Sequence, residues 1–412
     1  MKFSKLSQLI LVSSIGLLVA SLLTACSLTT IDFVYVASSS GINSFAVDGQ
    51  SGALRTARAA VTAGIDTPVA MALSADYGNL YVANKGNNTI VHFAIDLKGG
   101  LTAQSDTISV NAPVALAVNT AGTYLYVVSG TNSATLSEYP LTSGAIGGTA
   151  TSTQTLSLSG ISSAYTDDIL VPTGINVLAN NGSDIKGNAV YVTAYDQSSY
   201  VPGGSPTCTA NCANPGWVFG YSIGSGGALT VATGSPWKAG VLPSAIVSDP
   251  TDRFVYVTDY ASDDLVGYTI VDAGTLNTLA YMANSPFGTG RGPTAVTIDP
   301  RGIFIYITDS LDNRIMPYEI TVQTGVPTSA SNLVSGSSDT TEALPVAVAV
   351  EPALGRYVYT ANYDADTLSG FRLDPTSGTL YTTQSTPYPT GAQPTALVII
   401  PHGNHALQTV TP

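Results

Sequence analysis

Short runs of alternating apolar and polar positions recur along this chain, and they recur as a unit. The most regular run centres on a tyrosine preceded by Val, Leu or Ile: Tyr35, Tyr81, Tyr126, Tyr191, Tyr256, Tyr306 and Tyr359. Successive gaps are 46, 45, 65, 65, 50 and 53 residues. A period of this length filled with strand-type pattern predicts propeller blades. Each unit opens with a proline and an apolar run, as in Pro68-Val-Ala-Met-Ala-Leu and Pro293-Thr-Ala-Val-Thr-Ile. A turn rich in Asp, Pro and Gly follows (Asp299-Pro-Arg-Gly), then the tyrosine strand. A third strand alternates apolar and polar residues (Thr89-Ile-Val-His-Phe-Ala-Ile), and a second glycine turn (Asp374-Pro-Thr-Ser-Gly) leads to a less regular outer strand. Alternation with β-branched and aromatic residues marks the strands, and Gly, Pro and Asp mark the turns. The tyrosines have the area to fill the wedge between blades and are assigned to packing.

The two ends of the repeat array are complementary. The first tyrosine strand (Phe33-Val-Tyr-Val) has no opening strand before it, and the chain ends on an opening strand with no successor, Pro394-Thr-Ala-Leu-Val-Ile-Ile. The expectation is an all-β, seven-bladed β-propeller of four-stranded antiparallel blades, in which residues 394–400 complete the blade begun by residues 33–60. Closure of this kind removes exposed sheet edges. Six blades would follow if the stretch 126–190 were irregular, but Val171-Pro-Thr-Gly-Ile-Asn-Val-Leu reads as a further opening strand.

This grammar places the connections between first and second strands, and between third and fourth, on one rim, where they are expected to be uniformly tight. The opposite rim takes the connections from second to third strand and from blade to blade. Two insertions, Gly160–Val171 and Tyr195–Gly216, fall there and predict a raised lobe from adjoining blades. Long loops on a rigid scaffold are usual places for binding. The tyrosine strands end on the same rim at Ser38, Asn84, Ser129, Ala194, Asp259, Asp309 and Asn362, followed in three cases by Tyr195, Tyr260 and Tyr363. Asn84, Tyr195, Tyr260, Asn362 and Tyr363 are candidates for holding a small polar, carbohydrate-like ligand. Turn capping by Asn and Asp side chains is the competing reading of the same residues, and the favoured one.

The N-terminus changes the picture of where this fold works. Lys2 and Lys5 precede an apolar stretch, Leu9 to Leu23, that ends in Leu23-Thr-Ala-Cys26. A largely apolar stretch of fifteen residues is too short for a typical membrane-spanning helix. The four-residue ending resembles a bacterial lipobox, which implies cleavage before Cys26 and lipid on its thiol; an ordinary secretory signal is the alternative. The expected organisation is a signal peptide at 1–25, a lipidated Cys with a short tether at 26–30, the propeller at 31–403 and a tail at 404–412. Localisation is then the cell envelope, at the outer membrane in a diderm. The membrane partner is reached through lipid alone, and a small ligand or an envelope protein is the remaining partner of an expected monomer.

Composition excludes some classes. The formal net charge is −13, and only 10% of residues are charged. An acidic surface repels phosphate backbones, so no nucleic acid is expected as a partner. With 44% hydrophobic residues the chain fills a large core rather than staying disordered. Besides Cys26, the cysteines are Cys208 and Cys212, whose spacing in an exported protein suits a small disulfide loop, with free thiols as the alternative. A zinc site would need four ligands, and no histidine lies near them. The aspartates Asp259, Asp263, Asp264, Asp309, Asp312, Asp364 and Asp366 do not match the spacing of a calcium loop. No metal and no cofactor are expected.

The strings Leu80-Tyr-Val-Ala-Asn, Val255-Tyr-Val-Thr-Asp and Tyr359-Thr-Ala-Asn, with the Pro-opening strands and Asp-Pro-x-Gly turns, resemble the YVTN repeats of seven-bladed lactonase-type propellers. That family includes 6-phosphogluconolactonase-like proteins, and the resemblance covers nearly all of residues 31–403. It implies Arg and His just after the opening prolines and Glu at a tyrosine-strand end. Here the prolines are followed by Val69, Val114, Thr173, Ser244, Thr294, Val346 and Thr395, and no strand ends in Glu. Lactone opening needs a base for water and a donor for the oxyanion. Arg291 and Glu342, each just ahead of an inner strand, are the candidate pair, with Asp259 and Asp309 as alternative bases; a surface ion pair or two separate solvated side chains is the competing reading. Two functions stand on this reading: a lipid-tethered binding propeller, and a hydrolase of sugar or related lactones.

Overall fold

A computed structural model describes residues 29–159, 161, 169–178, 189–197, 214–272, 277–329 and 339–402. The signal segment with Cys26, the cysteines Cys208 and Cys212, and the tail 404–412 lie outside the described residues. The chain forms seven antiparallel sheets in a ring, each running outward from an inner strand near the axis. In the second blade these strands are Pro68–Leu73, Asn79–Asn84, Thr89–Ile95 and Leu101–Ala103. Among the described residues the helical content is one three-residue 3-10 turn, Ser225–Gly227. Six blades carry a fifth short strand that pairs back onto the third, as Ile108–Ser109 does on Thr89–Ile95.

Closure is as expected. The strand Ala396–Pro401 pairs antiparallel with Thr30–Ser38, with Phe33 opposite Ile400 and Tyr35 opposite Val398. The first blade is therefore built from the last strand and the first three, in the order Ala396–Pro401, Thr30–Ser38, Gly41–Asp48, Leu54–Val61. The segment near 171 is a true inner strand, Leu170–Val177, so the blades number seven.

All seven repeat tyrosines are fully buried. They also do something that the pattern does not reveal. Tyr81, Tyr256, Tyr306 and Tyr359 donate their hydroxyls to Gly144, Gly325, Gly378 and Gly52 carbonyls, at 2.6, 2.6, 3.0 and 2.7 Å. Each acceptor lies in the third-to-fourth-strand turn of the following blade, and Tyr359 to Gly52 ties the seventh blade to the first. These hydroxyls are satisfied only when neighbouring blades are in register. Tyr306→Phe should cost about 1 kcal/mol in urea unfolding, the usual net worth of one such bond plus a stranded carbonyl.

The acceptor glycine is itself constrained. Gly378 has φ +71°, and a Cβ there would sit 2.5 Å from the ring of Phe304 on the preceding blade. Gly378→Ala combines left-handed backbone strain with a clash, and should cost about 3 kcal/mol in the same assay.

One expectation about the rims needs correction. The connections between first and second strands are not uniformly tight, because in the fourth blade the inner strand ends at Val177 and the next begins at Ala189. The connections from second to third strand carry the one insertion expected of them. Six of these are short, such as Asn84 to Thr89 and Asp309 to Arg314, and the fourth blade alone has a long one. Both predicted insertions thus adjoin the fourth blade, one entering it and one inside it. Most of their residues lie outside the described set.

Candidate functional site at the mouth of the central channel

Six of the seven inner strands are disturbed at the same point. The opening proline pairs with the strand-end residue of its own blade: Pro68 with Asn84, Pro243 with Asp259, Pro293 with Asp309, Pro345 with Asn362. The register then shifts by one, so the residue after the proline is bulged out of the ladder. A bulge re-aims its side chain. Residues ahead of the prolines carry strain as well: Thr67, Ala112, Leu242, Leu344 and Gln393 have φ between 47 and 56°. Left-handed conformations in such residues cost of order 1 kcal/mol each and gather where a ring must turn sharply.

The bulged residues, with Thr395 at the equivalent place in the first blade, line a cavity of about 260 Å³ on the axis, bounded by all seven inner strands. Around the ring they are Thr395, Val69, Val114, Thr173, Ser244, Thr294 and Val346. Beneath them lies a layer of small residues, including Ala70, Ala115, Gly174 and Ala245, and the other lining side chains are aliphatic or Met71. Three consecutive blades thus present hydroxyls and two consecutive blades present valines.

The hydroxyls are held from both sides. Ser244 Oγ donates to the Pro293 carbonyl at 2.6 Å, Thr294 Oγ1 to Pro345 at 2.7 Å, and Thr395 Oγ1 to Pro68 at 2.8 Å. Every one of these acceptors belongs to the next blade. Thr173 Oγ1 lies 2.9 Å from Thr193 Oγ1 in its own blade. Behind Ser244 stands Thr258 Oγ1 at 2.9 Å, and behind Thr294 stands Thr308 Oγ1 at 3.1 Å. Sequence reasoning noted these residues only as departures from the lactonase pattern. The usable signal was a hydroxyl directly after the opening proline.

The strand-end ring lies at the same rim but turns away from the channel. Four of its seven members pair across their own hairpins with a polar or charged residue: Asn84 with Thr89, Asp259 with Asp264, Asp309 with Arg314, Asn362 with Thr367. All four strand-end side chains are fully buried. Asn84 donates to the Gly64 carbonyl at 2.8 Å and accepts from the Asp66 N–H at 3.1 Å, clamping the loop that enters its blade. Asn362 donates to Thr367 and Ser369 hydroxyls. Asp259 faces the Gly240 N–H and Asp309 the Gly290 N–H, at glycines whose absent Cβ leaves the carboxylates room. Asn84 thus acts as a turn clamp, and the other three are enclosed within their own hairpins.

Burial dominates the titration of these acids. It raises Asp259 well above the usual carboxylate range, helped by the Asp264 charge opposite. It lifts Asp264 to about 6, and Asp309 to about 6 against the pull of Arg314. A second buried pair sits at the ring seam, where burial and then Glu351 push Asp32 up to about 9.

Arg291 and Glu342 are not brought together. Arg291 donates to both oxygens of Asp312, from Nε at 2.7 Å and from its backbone N–H at 2.8 Å. Asp312 also lies 3.7 Å from Arg314, whose Nε holds Asp309 at 3.1 Å, so Arg291 and Asp309 end one ion chain in the sixth blade. With its side chain 67% exposed, the Arg291 pair is a surface ion pair of small consequence for stability. Exposed Glu342 lines a separate peripheral cleft of about 260 Å³, with Thr340, Ser369, Thr382 and Thr386. Tyr260 packs beside Gly292 and Leu311, and the Tyr260 and Tyr363 backbone N–H groups bond to Leu242 and Leu344 carbonyls ahead of the opening prolines. Tyr195, half-buried, lies opposite Val171 and Gly216. Among the described residues no cluster of three or more His, Cys, Asp or Glu side chains has the arrangement to hold a metal.

Comparison with known proteins agrees with this architecture. The family model described as "Lactonase, 7-bladed beta-propeller" matches residues 33–157 and 238–408, leaving out the fourth blade. No curated protein matches the chain. Among solved structures, a putative 6-phosphogluconolactonase from Bacteroides fragilis superposes with TM-score 0.69 at 16% identity, covering 91% of this chain and 99% of its own. The periplasmic gluconolactonase of Pseudomonas aeruginosa superposes with TM-score 0.67 at 18% identity, covering 91% and 100%. Such identities speak to the fold alone. Seven closed blades, a proline-opened channel and a family match over most of the length lead to one assignment: the chain belongs to the seven-bladed lactonase β-propeller family.

Proposed function

We propose that this protein is a lipid-tethered propeller of the cell envelope that binds a small polar ligand at the channel mouth, rather than opening a lactone there. The observation that supports this is the lining of the mouth. Ester hydrolysis needs a base poised near neutrality and a donor for the developing oxyanion. The described lining consists of hydroxyls whose protons are already donated, together with aliphatic groups. The volume lies just under the ~300 Å³ usual for small-molecule sites, which suits a ligand the size of one sugar ring. The tether reading rests on the Leu-Thr-Ala-Cys26 ending after the apolar N-terminal stretch.

The second reading, a hydrolase of unphosphorylated sugar lactones, is favoured by family membership and by the named activity of the Pseudomonas relative. Purified protein lacking residues 1–26 would be assayed on a panel of aldonolactones, with ligand binding followed by thermal shift. The expected result is a thermal shift with no turnover above background. Turnover lost in Glu342→Gln or Asp309→Asn would reject the binding reading. Mass spectrometry of the exported protein should find diacylglycerol on Cys26, and an unmodified thiol there would remove the tether. A thiol titration under native conditions should find Cys208 and Cys212 unreactive, and two reactive thiols would reject the disulfide.

A further inference from the structure

The direction of the hydrogen bonds at the mouth says which ligands it accepts, an inference that rests on the channel-binding reading and narrows it. A hydroxyl has one proton and two lone pairs. Ser244, Thr294 and Thr395 each have a proline carbonyl of the next blade as their nearest acceptor for that proton, at 2.6 to 2.8 Å, with the Thr258, Thr308 and Ala37 carbonyls of their own blades farther off at 3.1 to 3.4 Å. Those carbonyls have no N–H of their own residue beside them to offer in exchange, since proline lacks one. For Ser244 and Thr294 the hydroxyl behind, on Thr258 or Thr308, then donates forward into the same oxygen. Thr308 Oγ1 takes the Ala295 N–H at 3.1 Å, and Thr294 Oγ1 at 3.1 Å is a nearer acceptor for its proton than the Ala295 carbonyl at 3.4 Å. The relay therefore runs one way, from the strand behind through the channel hydroxyl to the neighbouring blade. What remains for the cavity is a lone pair on each oxygen.

We infer that the channel mouth is an acceptor ring, selective for non-anionic ligands that donate hydrogen bonds along one edge and rest an apolar face on the opposite wall. Ser244 and Thr294 supply the polar edge, and Val69 and Val114 the apolar wall. Polyols and amino sugars have this chemistry. Carboxylates and phosphates lack it, because they bring further lone pairs to a ring of lone pairs and lose water without a partner. The net charge of −13 works in the same sense at longer range. The common alternative, that hydroxyls adapt by rotating, is resisted here because rotation would exchange a short bond for a longer one and strand the carbonyl of a buried proline at each blade junction.

Calorimetric titration of the protein lacking residues 1–26 with D-glucitol, D-glucosamine, D-gluconate and glucose 6-phosphate tests this. The neutral polyol and the amino sugar should bind at least about tenfold more tightly than the carboxylate and the phosphate. Anions binding as well as glucitol would overturn the acceptor ring while leaving a binding site in place. Binding by none of the four would overturn the inference together with the binding reading. A gain-of-function variant separates chemistry from damage to the latches. Val346→Lys introduces a cationic donor into a position with no latch to lose, and should reverse the preference towards gluconate. A folded Val346→Lys protein with unchanged preference would show that the mouth does not select ligands.

Discussion

A chain ending at Gln393 will not reach the folded state, and a nearly full-length protein will be recovered as aggregate. The deletion removes the inner strand of the first blade. Its six register pairs with residues 32–37 go, along with the buried side chains of Leu397, Ile399 and Ile400. Burial of three such side chains is worth about 6 kcal/mol, comparable with the whole stability of an ordinary domain of roughly 5–15 kcal/mol. The loss also uncovers the inner edge of Thr30–Ser38, a long, apolar template for pairing with other chains. Circular dichroism and size exclusion of the truncated protein check this. A monomeric species with a cooperative melt within a few degrees of the parent would show that the ring does not need its last strand.

Stability is expected to rise as the solution is made mildly acidic. Asp264, Asp309 and Asp339 are raised to about 6 and Asp32 to about 9, against 3.8 for a free aspartate, each mainly by burial. The folded state holds these protons more tightly than the unfolded chain. Their contribution is therefore complete below pH 3.8 and is lost as pH rises through the folded values, between about 6 and about 9. A two-unit rise corresponds to roughly 2–3 kcal/mol for a fully buried group. Turn aspartates oppose this at the acid end, because Asp48, Asp76, Asp96, Asp106, Asp312 and Asp374 are held below the ordinary value and lose their contribution as pH falls through it. The melting temperature should accordingly peak near pH 4–5 and decline steadily towards pH 9. Asp32→Asn should flatten the alkaline part of that decline, since it removes the carboxyl that must ionise beside Glu351. A melting temperature that climbs from pH 5 to pH 8 would contradict the assignment.

The seven tyrosines illustrate how far the pattern could be read. Their spacing gave blade number and strand order, because each blade must present the same wedge to its neighbours and only a large, flat residue fills it. Their hydroxyl partners were not readable, since Tyr306 and Gly378 are 72 residues apart and meet only across a blade junction. A similar device hides in Ser235-Pro-Trp, Ser285-Pro-Phe and Thr386-Pro-Tyr. There the Ser or Thr hydroxyl accepts the N–H of Gly220, Gly267 or Gly370, where the outer strand breaks. The aromatic residue that follows covers that glycine.

The site was less legible than the fold. Asp259, Asp309, Asn84 and Asn362 were placed on the correct rim by counting, yet counting is blind to direction along a bulged strand. A one-residue shift at each opening proline sends the post-proline side chain to the axis and leaves the strand-end residue inside its own hairpin. Arg291 was likewise placed ahead of the correct strand, but Asp312 on the adjacent turn captures it at 2.7 Å.

By itself the sequence determined the blade number, the closure by residues 394–400, the rim on which the strands end and the class of the fold. These depend on periodicity, and periodicity survives in one dimension. Only the tertiary structure decided which residues reach the channel, where their protons point and which acids are buried. Those depend on bulges and on contacts between blades, which exist only once the ring has closed.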